Sequence, residues 1–322
     1  MLLAAAARLR SERPQTKVII RSVGKGGRRI LGIDQGDHAI EGLFRNLDNS
    51  LSLHYRNLIS TIQTTVKSGK EVGIPISQIY LVWIHGESDR ALSVDEYIQL
   101  LCELIASVGA EIAPLNVPVQ WLTVQPGGTS FGGDGNAWPN RNALQSTELR
   151  DIAPMVACGH VLPYFDQSHF SAEGKIVLGE WLGHVLAQYE KGSAYVAPRT
   201  PRGLRSDQGI ELWFTGNTHP LDPSEPLFGF DILANRQPVD VVEATVVGPD
   251  KVRISGPFLD VRELQVNYAF ARNVVKDRIR QPTRAYGNGN LFTTYSTNSV
   301  LRPGAILREA VPGFSISVSD VA

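Results

Sequence analysis

Residues 79–89 read Ile-Tyr-Leu-Val-Trp-Ile-His-Gly-Glu-Ser-Asp, an apolar and aromatic run followed at once by small and polar residues. A run that is apolar at every position, rather than at every second one, reads as a buried central strand of a parallel sheet. The polar group then stands at the C-terminal end of that strand, which is where open parallel sheets bind ligands. Polar side chains packed this tightly behind a buried strand need hydrogen-bond partners, or each costs about 1–3 kcal/mol. The group is therefore either a site or a polar loop capping the next element.

The neighbouring sequence supports the same sheet. Residues 17–22 (KVIIRS), 119–124 (VQWLTV) and 160–165 (HVLPYF) are further strand candidates. Between and beyond them, apolar positions recur at helical spacing over residues 51–66, 94–108, 141–152 and 172–189. Ser93 followed three residues later by Glu96 has capping-box spacing and fixes a helix start near Ser93. Strand and helix alternating in this way predict an α/β domain over residues 1–190.

Beyond residue 190 the pattern changes. Residues 191–209 are rich in proline, glycine, serine and arginine without apolar periodicity, and read as a linker. Residues 241–247 and 251–255 flank Gly248-Pro249-Asp250, and residues 263–270 alternate Leu264, Val266, Tyr268 and Phe270. Short strands at short spacing predict a small β-sandwich over residues 210–322. Trp213, Phe214 and Tyr295 could stack on sugars there, although aromatics in a sandwich are usually core.

Bulk properties narrow the function classes. A formal net charge of −1 argues against non-specific nucleic-acid binding, which needs a basic face. Cys102 and Cys158 are too few for a disulfide scaffold and show no metal spacing, so no cofactor is implied. The opening MLLAAAARLR has its basic residues after a short apolar stretch, unlike a signal peptide, and reads as the end of an amphipathic helix. No run reaches the roughly 20 apolar residues of a membrane span, so no membrane partner is expected. Compartment is left open, virion or extracellular included.

Two more motifs flank the first. Val23-Gly24-Lys25-Gly26-Gly27 follows residues 17–22, and its glycines let a backbone approach a ligand or simply make a tight turn. Asp166-Gln167-Ser168-His169 places an acid three residues before a histidine, a spacing that can hold an imidazole tautomer and leave its other nitrogen free as a base. Taken together and in order, the glycine turn, WIHGESD (83–89) and DQSH (166–169) resemble the SGNH (GDSL-like) hydrolase superfamily, in particular its sialate O-acetylesterase and acetylxylan-esterase-like branch.

That resemblance covers roughly residues 1–190 and implies a flavodoxin-like three-layer α/β fold. It implies that His169 is the general base and Asp166 its orienting acid. It further implies that Gly26 or Gly27 gives an oxyanion-hole N–H, that His85 adds a side-chain donor, and that Gly86, Glu87 and Asp89 brace the loop. Gln125, ending the next strand, is a candidate substrate contact or an ordinary polar loop start. The implied substrate is an acylated carbohydrate or polysaccharide. Residues 286–291 (YGNGNL) resemble the β-rich extension that follows SGNH domains in some phage and bacterial proteins, where a homo-oligomer is plausible.

One block of the pattern is missing. The family nucleophile sits in a G-x-S block after the first strand, and the 25 residues before Gly26 contain none. Ser11 lies in a helical context, and Ser22 ends a predicted strand beside the glycine turn. The domain is thus expected to be N-terminally incomplete, lacking the central strand that carries the serine. Either strand and serine come from outside these residues, from a preceding segment or another chain, and the protein is a serine ester hydrolase. Or residues 17–22 pair directly with 79–84, leaving an inactive glycan-binding or structural protein.

Overall fold

A computed structural model of the chain describes residues 1–34, 39–89, 92–127, 139–165, 169–224, 226–239, 241, 243–258, 261–269 and 289–320. In the first 190 residues the elements are α1 (Leu2–Glu12), β1 (Ile33–Asp34), β2 (Ala39–Ile40), α2 (Leu53–Glu71), β3 (Ile79–Ile84), α3 (Val94–Ile112), β4 (Val119–Gln125), α4 (Pro139–Ala143), α5 (Thr147–Ile152), β5 (Met155–Cys158) and α6 (Ala172–Tyr189). Strands β3, β4 and β5 form a parallel sheet in sequence order, with Ile79 opposite Val119 and Ile84 opposite Val124.

The double-sided apolar run explains the layers. Ile79, Leu81 and Trp83 pack with Tyr55, Ile59 and Ile62 of α2 and with Tyr97, Leu101, Leu104 and Val108 of α3. Tyr80, Val82 and Ile84 point the other way, into a core with Leu178, Trp181, Leu182 and Val185 of α6. Successive strand side chains alternate faces, so a strand apolar throughout is covered by helices on both sides. The Ser93 cap forms as expected: its side chain accepts from Glu96 N–H while Glu96 accepts from Ser93 N–H.

Helix α3 corrects one expectation. The helical stretch Val94–Leu115 is long and apolar enough, by length and composition, to cross a membrane. Its buried residues Tyr97, Leu101, Leu104, Val108 and Ile112 lie at helical spacing on one face, which packs into the α2–β3 core. Two strand expectations also change. Residues 17–22 form no strand; Val18 and Ile20 are half-buried while Lys17, Ile19 and Arg21 are exposed, a period-two alternation with no ladder beside it. They do not pair with β3, whose partner among the described residues is β4. The strand placed at residues 160–165 is instead Met155–Cys158; it stops where Gly159 closes on the Gly127 backbone, too tightly for a side chain. Residues 141–152 form the two short helices α4 and α5 rather than one.

The second half is β-rich. Its strands are β6 (Arg202–Ser206), β7 (Gly209–Trp213), β8 (Phe230–Ala234), β9 (Gln237–Val239), β10 (Glu243–Gly248), β11 (Lys251–Ser255), β12 (Leu264–Tyr268), β13 (Phe292–Asn298), β14 (Ile306–Ala310) and β15 (Phe314–Ser319). Strand β6 lies inside the stretch read as linker, paired with β7 and β15. Eight strands run in the order β10-β11-β7-β6-β15-β12-β8-β9, and β13-β14 form a separate pair. Ala244 of β10 and Ile232 of β8, from opposite ends of the sheet, share one core, so the sheet curls over itself. Asn235 and Arg236, both at positive φ, make the two-residue turn between β8 and β9.

Helix α1 lies along α6 where two glycines open the way. A Cβ on Gly183 would sit 2.3 Å from Ala5 O and 2.8 Å from Arg8 Cβ. Gly183→Ala is therefore expected to lower unfolding stability by about 1–3 kcal/mol, as overpacking does, despite alanine's better helix propensity. Urea denaturation of the two proteins checks this.

Candidate active site

His85 is the point from which the site is built. It is buried just past β3, and both ring nitrogens are engaged. Trp83 Nε1–H donates to Tyr97 OH at 3.1 Å, and the Tyr97 hydroxyl lies 3.0 Å from His85 Nδ1. On the other side His85 Nε2 lies 3.1 Å from Arg28 O and 3.2 Å from Asp89 Oδ2. With two acceptors at Nε2, the proton sits there and Nδ1 accepts from the tyrosine. Asp89 Oδ2 in turn accepts from Ile30 N–H at 2.8 Å. The HGESD loop thus grips the chain just after the glycine turn at two points, and the first two motifs are one structure.

This corrects the donor expected of His85. Its one N–H is spent on Arg28 O and Asp89, so it positions the glycine turn instead of facing a substrate. At that turn Gly27 has φ +70°, a conformation other residues resist, and a Cβ at Gly24, Gly26 or Gly27 would meet open space. The glycines are required at position 27 by backbone shape, not by crowding. Gly86, at φ +139°, is crowded by the Asn140 side chain and Pro126. Asn140 Nδ2 donates to Gly86 O and bonds Asp89 O at 3.5 Å, so α4 holds the same loop from beside.

His169 belongs to a narrow antiparallel turn. Phe165 N–H donates to His169 O at 2.8 Å, and Ser171 N–H to Pro163 O at 3.0 Å. Ser171 also caps α6 by accepting from Gly174 N–H. Asp166 lies outside the described residues. Among the described residues the charge of His169 is felt by Glu87: burial raises the Glu87 pKa, while a backbone hydrogen bond and the charges of Arg141 and His169 lower it. Arg141 is itself buried and donates to Ala269 O at 2.6 Å. Glu87, His169 and Arg141 therefore share one electrostatic neighbourhood beyond the C-terminal ends of the strands.

Gln125 also departs from expectation. It is buried, and its amide closes on the main chain of one residue of the β-rich half: Nε2 donates to Gly313 O and Oε1 accepts from Gly313 N–H, both at 2.8 Å. Gln145 Nε2 donates to the same oxygen at 2.7 Å. Gln125 joins the two halves and does not face a ligand. Of the two serines noted ahead of the glycine turn, Ser11 Oγ donates to Arg8 O within α1, and Ser22 is exposed at the end of residues 17–22. Phe214 is core, Trp213 carries Lys251 Nζ over its ring at 3.5 Å, and Tyr295 bonds His184 Nε2 at 2.6 Å. Residues 286–288 lie outside the described residues.

Sequence reasoning missed Tyr97, Asn140 and Arg141. Tyr97 reads as one apolar position on a helix face, yet a buried tyrosine hydroxyl needs a partner, and that requirement was the available signal. Asn140 and Arg141 follow a stretch with no periodic pattern, so nothing local marks them.

No family model and no curated protein matches the chain. Among solved structures the chain is similar to XAC1771, a carbohydrate acetylesterase from Xanthomonas citri. The two are 20% identical with a TM-score of 0.48 over 76% of this chain and 51% of that one. This chain spans about half the length of that structure.

Burial lowers the His85 pKa from 6.5 to about 4, so the ring is neutral at pH 7. Its contribution to stability is complete above pH 6.5 and is lost as pH falls toward 4, because the unfolded chain takes up a proton that the folded one refuses. Asp89, raised by burial from 3.8 to about 6, acts in the opposite sense and loses stability as pH rises through 6. The stability advantage of the wild type over His85→Gln is expected to shrink between pH 6.5 and 4.5. Imidazole NMR shifts should report a neutral His85 down to about pH 5, given that pKa. Separately, Gln125→Leu leaves the Gly313 N–H without its acceptor, while Gln145 still holds Gly313 O, and is expected to cost about 1–3 kcal/mol in urea denaturation.

Proposed function

We propose that the chain is the greater part of an SGNH-type carbohydrate O-acetylesterase, with His169 as general base and Asp166 as its orienting acid. In this reading a serine hydroxyl gives its proton to His169 as it attacks the acyl carbonyl. The charge that develops on the carbonyl oxygen is met by main-chain N–H groups at Gly26 and Gly27, the usual solution for acyl transfer. Glu87, beside His169, favours the imidazolium formed in that step. His85, Gly86 and Asp89 hold the glycine turn in place. An acylated carbohydrate is the substrate class.

The observation that carries the reading is the stitching of the glycine turn to the HGESD loop at the C-terminal ends of parallel strands. The serine is assigned to a strand outside these 322 residues. What supports that assignment is β3: an apolar strand covered on both faces, whose one strand partner among the described residues is β4. Such an edge is a template for another strand.

The test is hydrolysis of a chromogenic acetate by the chain, alone and together with a segment or partner chain that supplies a serine-bearing strand beside β3. Activity is expected on restoration, with His169→Ala lowering it about 100- to 10,000-fold, the usual contribution of a general base. An organophosphonate should label a serine on the added strand. No turnover and no labelling in the restored protein, with oligosaccharide binding retained, would establish the inactive glycan-binding alternative.

A further inference from the structure

The turn that presents His169 carries a second side chain on the same face. Residues 163–165 run antiparallel to residues 169–171, with the Tyr164–Phe170 bridge flanked by the Ser171–Pro163 and Phe165–His169 hydrogen bonds. Side chains alternate across such a ladder, so Tyr164 and Phe170 share one face while Phe165 and His169 share the other. The first pair is internal: Tyr164 is buried, and its ring lies 4.8 Å from that of Phe170. The second pair is external, with Phe165 68% exposed and His169 exposed as well. Residues directly opposed in a ladder hold their Cβ atoms about 5 Å apart.

The turn is also fixed from below. Gly174 brings the first turn of α6 against Pro163, where a Cβ would come within 2.2 Å of Pro163 O, and the Ser171 cap ties the second strand to the same helix. A large apolar ring is thus displayed on an anchored turn, one side chain away from the proposed base.

We propose that Phe165 is the stacking platform for a sugar ring at this site. A pyranose has faces made of C–H groups and an edge made of hydroxyls. Laid on Phe165, the C–H face removes apolar area of both partners from water while the hydroxyl edge stays available to polar groups. An acyl group on a ring hydroxyl then reaches across the turn to His169. The acyl part of this inference rests on the esterase reading; the platform is a statement about binding alone.

The experiment is titration of the full chain with xylotetraose and with partly O-acetylated xylotetraose, followed by NMR. Phe165→Ala is expected to weaken binding about tenfold or more, the size expected for losing one well-covered aromatic ring. Phe165→Trp keeps a flat ring and should bind within about threefold of wild type on the same scale. Phe228→Ala, which removes another exposed aromatic in the β-rich half, should leave binding unchanged. Equal affinity of Phe165→Ala and wild type overturns the platform, as does failure of the wild type to bind either sugar at millimolar concentration. Phe165-dependent binding in a restored protein that hydrolyses no ester leaves the platform standing and removes the esterase reading.

Discussion

His85 is buried away from water, so each of its nitrogens must find a protein partner or lose about 1–3 kcal/mol. The partners it finds come from three separate segments: Tyr97 from α3, Arg28 from the glycine turn and Asp89 from its own loop. Satisfying one imidazole therefore fixes the distance between the first helix after β3 and the turn that precedes β1. Trp83 and Ile30 extend the network at its two ends, so it runs from the helix-covered side of β3 to the rim of the site. The glycine turn has little packing of its own, and this chain of hydrogen bonds is what gives it a shape.

Much of this was legible beforehand, for definable reasons. The run at residues 79–84 is apolar on both faces, and only a strand sandwiched between helices satisfies that pattern. Helix α6 was readable because its apolar positions recur at helical spacing over residues 172–189, and in the structure the Ser171 cap sets its start. Residues 17–22 misled because alternation reports a preference for extended chain, while a strand also needs a neighbour. The strand at Met155–Cys158 was displaced in the reading because residues 155–165 are apolar nearly throughout, and the boundary is set by the contact between Gly159 and Gly127, which are 32 positions apart. The site followed the same rule. The residues that converge were visible as motifs, but the direction each side chain faces depends on distant partners: Arg28 for His85 and Gly313 for Gln125.

The two halves also meet on charged and aromatic groups. Glu180 is fully buried in α6 and accepts from Ser299 Oγ and from the N–H groups of Val300 and Leu301. Arg8 reaches Thr297 Oγ1 and Asn298 O, and His184 bridges Glu12 and Tyr295. Leu307 of β14 sits in the α6 core. A buried carboxylate is costly unless its partners stay in place, so these contacts make the β-rich half part of the α/β half's own stability.

Across that junction the gripping is lopsided. Gln125, Gln145, Arg141, Cys158 and Glu180 are side chains of the α/β half, and much of what they hold is main chain of the other: Gly313, Ala269, Ala310, Val300 and Leu301. A peptide group is the same whatever residue carries it. Where a grip ends on main chain, and apart from Gly313, where space is tight, the β-rich half can change its side chains and still be recognised; Thr297, Ser299 and Tyr295, held by their side chains, cannot. The α/β half has no such latitude, since each of its grips is a particular amide, guanidinium, carboxylate or thiol. Sequence drift should therefore accumulate on one side of the seam and be halted on the other, so that the two halves record the same history at different rates.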